Sequence, residues 1–168
     1  MAGLRCTNNR LCPPFFKKNH TTMKELDEII YDALTANETL AADTGGRIYS
    51  TCIEVPPTDD DNTPLPYIIV AEEASQNDLT TKDDVWESQY DIVNVGVIIN
   101  AASPNEVKRL RQLVRMAVTS HVINMAERPY LQNATRDGIA WDWMKPCYYD
   151  TIHYQCEVRI NLDENEQI

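Results

Sequence analysis

The sequence has few of the patterns that mark catalytic or membrane proteins. No apolar run in its 168 residues approaches the roughly 20 residues that a membrane helix needs. Its first residues have no apolar centre of the secretory-signal type, so no signal peptide is expected. The five cysteines (Cys6, Cys12, Cys52, Cys147, Cys156) are odd in number and form no C-x-x-C pair, a usage that fits a reducing compartment. G-x-S-x-G, P-loop and H-E-x-x-H motifs are all missing. Positive charge is scarce: 15 Lys and Arg stand against 26 Asp and Glu, a net charge of −11. A chain this acidic is not expected to grip nucleic acid nonspecifically or to rest on an anionic membrane.

The little positive charge is unevenly placed. Residues 1–22 hold Arg5, Arg10, Lys17 and Lys18 and no acid; 11 basic and 26 acidic residues follow. This segment has neither a helical nor a strand period, and Cys12-Pro13-Pro14 cannot be helical. The open readings are a disordered leader, residues upstream of a start at Met23, or a basic arm that docks on an acidic copy of the chain. The domain expectation is therefore an arm or leader at 1–22, one domain at 23–162, and an acidic tail at 163–168.

Residues 85–126 organise the domain. From Tyr90 to Ile99 the apolar residues are nearly continuous, with Val93, Val95, Val97 and Ile99 on one face and Tyr90, Ile92 and Ile98 on the other. Apolar residues on both faces predict a central strand covered on each side. Ser103, Pro104 and Glu106 then form a helix start, with an N-cap, a first-position proline and a capping-box acid. Val107, Leu110, Val114, Ala117, Val118 and His121 follow at helical spacing. Lys108, Arg111 and Arg115 read as the opposite face, a candidate contact for an acidic neighbour or a solvated face.

Around this unit the spacing predicts a capped helix from Thr22-Met23-Lys24-Glu25 through Leu26, Ile29, Ile30, Ala33 and Leu34, ending near Thr35. A short turn through Leu40 and a break at Gly45-Gly46 follow, then strands at Arg47–Ile53 and Pro66–Glu73. Residues 75–84 read as a turn or hairpin loop. The stretch from Tyr130 to Tyr149 is aromatic without a clean period, with an extra strand suggested near Trp141. From Thr151 to Leu162, apolar and polar residues alternate as in a strand with one buried face. Hairpin-length links then predict an α+β fold: a mostly antiparallel sheet of four to five strands with two main helices.

No catalytic, cofactor or metal residues emerge. The acidic run Asp59-Asp60-Asp61-Asn62 lacks the spaced carboxylates and central glycine of a calcium loop. His121 reads as a core or interface histidine, and His153 falls on the wet face of the last strand. His20 with Cys6 and Cys12 would lack a fourth zinc ligand. Cys156 reads as a small buried hydrophobe.

The order and wording of the segments do carry a resemblance. A helix leads through Leu40-Ala41-Ala42-Asp43-Thr44-Gly45-Gly46-Arg47-Ile48-Tyr49. A Pro-rich loop then gives Pro66-Tyr67-Ile68-Ile69-Val70, followed by the long apolar strand, the helix after Ser103 and the alternating strand. Over residues 23–162 this resembles the tail completion, or tail terminator, proteins of long-tailed bacteriophages. The leader and the aromatic stretch depart from that pattern. The resemblance implies a non-enzymatic virion protein without cofactors, assembled in the bacterial host cytoplasm. It implies a ring, typically of six copies, at the head-proximal end of the tail tube. Its implied partners are the tail tube protein and a head connector or head-closure protein.

DNA would pass the ring without specific binding, and acidic walls repel phosphates. Asp59, Asp60, Asp61, Asp83, Asp84 and Glu87 are candidate lumen residues. The candidate subunit interface is Lys108, Arg111 and Arg115, or the arm residues Arg5, Arg10, Lys17 and Lys18. Three alternatives stand beside this reading: another neck component, a small metal-dependent hydrolase using the acidic loop, and a cytosolic adaptor that binds a peptide by strand addition.

Overall fold

Three helices and six strands follow one another in the computed structural model, which describes residues 25–51, 53–54, 56–57, 62–78, 90–125 and 130–159. The order is α1 (Leu26–Thr35), α2 (Glu38–Thr44), β1 (Ile48–Ser50), β2 (Tyr67–Asp78), β3 (Tyr90–Ala101), α3 (Pro104–Ile123), β4 (Tyr130–Arg136), β5 (Ala140–Asp142) and β6 (Cys147–Arg159). This is an α+β fold with one sheet in the order β1-β2-β3-β6-β4, and β5 also pairs with β6. All the pairings are antiparallel except that of the three-residue β1 with β2.

The first helix starts at Leu26 behind Glu25, whose side chain caps nothing. That corrects the expected capping box, and Thr22 lies outside the described residues. Its apolar stripe is buried as the spacing requires, and Asp27 is buried with it. The expected turn through Leu40 is the separate helix α2. Asn37 accepts the Leu40 N–H at 2.9 Å to start it, and Gly45 at φ 61° ends it in the left-handed region that favours glycine. The strand expected at Arg47–Ile53 shrinks to Ile48–Ser50, while β2 runs on to Asp78 through residues read as loop.

Strand β3 is central, with β2 on one side and β6 on the other. Val95, Val97 and Ile99 have no exposed surface and join one core with Leu34, Leu40, Val107, Leu110, Val114 and Val118. The expectation of cover on both faces is corrected: Ile92, Asn94 and Ile98 remain half-buried on the face away from that core. The helix after Ser103 forms as read. The Ser103 hydroxyl accepts the Glu106 N–H at 3.3 Å, and a Glu106 carboxylate oxygen accepts the Ala102 N–H at 3.1 Å. The aromatic stretch resolves into β4 and β5, which lie in line along β6 and are separated by a break at residues 137–139.

Candidate functional site

The basic candidates on α3 part company in three dimensions. Lys108 and Arg115 are exposed, but Arg111 turns inward to Asp150, with Nη1 at 2.9 Å from Oδ2. Asp150 has no exposed surface, and its Oδ1 accepts the Gly138 N–H at 3.0 Å. One buried carboxylate thus fastens α3, β6 and the β4–β5 break together. Arg109 is also engaged, 2.8 Å from Asp43 of α2. Arg5, Arg10, Lys17 and Lys18, and Asp59, Asp60, Asp61, Asp83, Asp84 and Glu87, lie outside the described residues.

The bare sheet face carries a second polar construction. His153 of β6 is opposite Gly96 of β3, and Glu73 sits at the irregularity in β2 where the register shifts. The missing side chain at Gly96 opens a path: a Cβ there would meet Glu73 Oε1 at 2.5 Å. Glu73 reaches across β3, and both its oxygens lie 2.8 Å from His153 Nδ1. Asp137 Oδ1 lies 2.9 Å from Nε2. Both ring nitrogens can donate only in the imidazolium form. The His153 pKa is accordingly raised, chiefly by the Glu73 hydrogen bond and further by Asp137, while partial burial opposes them. The two carboxylates flank opposite edges of the ring, and among the described residues no hydroxyl or thiol nucleophile is hydrogen-bonded to it. The group is a strap across three strands.

Under α3, burial pushes the Tyr154 hydroxyl up to about 12, against the weaker pull of Arg115. Among the described residues, no three His, Cys, Asp or Glu side chains are grouped to hold a metal ion, and no helix is long and apolar enough to cross a membrane.

The remaining conspicuous surface is apolar. Trp143 and Met144, in the turn between β5 and β6, are 87% and 78% exposed. Met116 and Ile123 stand out from α3 and border a shallow groove of about 520 Å³. The aromatic stretch is conspicuous in the sequence, and this groove is not. Met116 and Ile123 sit off the apolar stripe, and that displacement was the signal.

The chain matches no family model and no curated protein. It is similar to a solved chain from a "Virion of native gene transfer agent (GTA) particle", 16% identical, with a TM-score of 0.43 over 79% of this chain and 94% of that one. A likeness this loose says nothing of what the present chain does.

Proposed function

We propose that this chain is a structural virion protein that forms a ring at the head-proximal end of a phage tail tube. The ring ends tube polymerisation and presents the surface that joins the tail to the head connector. The observation that carries the reading is the ordered set of segments from Leu40–Tyr49 to the strand at Thr151, which resembles tail completion proteins. The one-sided sheet supports it. Tyr49, Ile69 and Ile98 share the face that the helices leave bare, and such a face is suited to a neighbour in an assembly. The net charge of −11 suits a passage that must let DNA through without holding it.

In this reading the ring closes by a repeated head-to-tail contact, typically among six copies. Lys108 and the basic segment 1–22 face acidic surface next door, and the acids at 59–61, 83, 84 and 87 line the passage. The test is the mass and shape of the purified protein, by light scattering and negative-stain microscopy across a concentration series. Closed rings of uniform copy number are expected, and a monomer at every concentration contradicts the reading.

A further inference from the structure

The turn between β5 and β6 is an apolar projection held firmly in place. Asp142 Oδ1 accepts the Met144 N–H at 2.9 Å and the Lys145 N–H at 3.4 Å. Trp141 packs edge-on against Tyr148 at 4.7 Å and against Trp143 at 6.1 Å. The stem of Lys145 is buried, and its Nζ sits 4.5 Å from the centre of the Tyr67 ring. Every contact fixes the base of the turn, yet Trp143 and Met144 point into solvent. Trp143 is carried on a fixed turn backbone and edged against Trp141, so it has less freedom to lose on docking than a side chain on a free loop.

A second exposed apolar surface lies on α3. Rows 115–119–123 and 116–120–124 run side by side along its exposed face. Small Thr119 and Ser120 lie between the larger Met116 and Ile123, so the helix surface dips there. Arg115 stands at the rim. The six groove residues include one cation and no acid, and turn residues 143–146 contain no acid either. In a chain of charge −11, two acid-free patches are where copies can approach with least repulsion. An arginine beside an apolar dip suits the face of a tryptophan ring.

Projection and groove cannot meet within one copy. The turn lies at the sheet end where β3 finishes, since Tyr148 pairs with Ala101. Helix α3 starts at that end and runs away from it, Arg111 reaching Asp150 and Arg115 acting on Tyr154, four β-ladder positions further on. The groove is in its far half, on the order of 20 Å or more from the turn at 1.5 Å per helical residue.

We propose that Trp143 and Met144 of one copy seat in the Met116–Ile123 groove of the next, forming the anchor of a head-to-tail contact between copies. This rests on the ring reading and names the surfaces that close the ring. A tryptophan in such a seat buries roughly 150–250 Å² of its own, the kind of central anchor that dominates an interface.

The test uses two full-length variants, one lacking the projection (Trp143→Ser with Met144→Ser) and one with the groove filled (Ser120→Tyr). All three altered residues are exposed, so circular dichroism should show both variants folded. Each alone should associate on the order of 30-fold more weakly than the parent chain in light scattering. Mixed together, the two retain one intact projection and one intact groove, and should form a one-contact dimer that cannot extend. Rings of unchanged mass from either variant would overturn this contact and leave the ring reading standing. A parent chain that never associates would overturn both.

Discussion

His153 shows how one residue reports on three strands. Its folded pKa is raised above the ordinary histidine value, so its contribution to stability is complete below the unfolded pKa of about 6.5. That contribution is lost as the pH rises through the raised folded value. The group is partly exposed, so the effect is at most about 1 kcal/mol. Thermal melts between pH 5.5 and 9 should show this extra loss in the parent chain and not in His153→Gln. Gly96→Ala should flatten the same profile, because the new methyl group takes the space that Glu73 uses to reach the ring.

Arg111 makes the opposite point, a cation that sequence reading placed outward and the fold turns inward. Removing it leaves the fully buried Asp150 with only the Gly138 N–H among the contacts described above. Arg111→Ala should therefore destabilise by about 3–5 kcal/mol in chemical denaturation, while exposed Lys108→Ala should stay within about 0.5 kcal/mol. A test of inter-copy charge contacts is thus better placed on Lys108. Asp150 was legible in part: it shares parity with Ile152, Tyr154 and Cys156, so the alternation carried one step further back puts it on the buried face. Its partner was not legible, because an arginine 39 positions away is brought to it only by the packing of α3 on β6.

At the scale of elements, the strongest periodic signals survived. The Ser103–Glu106 helix start formed as spacing demanded, and so did the α3 stripe except at its end, where His121 is half-buried and Val122 takes the buried place. Ser103→Ala should cost about 1 kcal/mol, read by urea denaturation. The errors fell where tertiary contacts outweigh local preference. Polar residues 75–78 continue β2 because β3 offers a partner over the same length. The continuous apolar run of β3 read as cover on both faces, yet the helices take only one. In the aromatic stretch the register shift between Leu131 and Asn133 and the break at 137–139 interrupt the period-two pattern, so no clean strand could be read.

Among the described residues, the molecule is a sheet whose helices cover one side, with an apolar projection at one end and an apolar groove far from it on α3. The basic and acidic candidates outside the described residues bear on where charge would sit in the proposed ring. The most direct test is electron microscopy of particles assembled without this protein. The account predicts overlong tails without heads, since nothing would stop the tube or join it. Tails of normal length on normally filled, joined heads would contradict it.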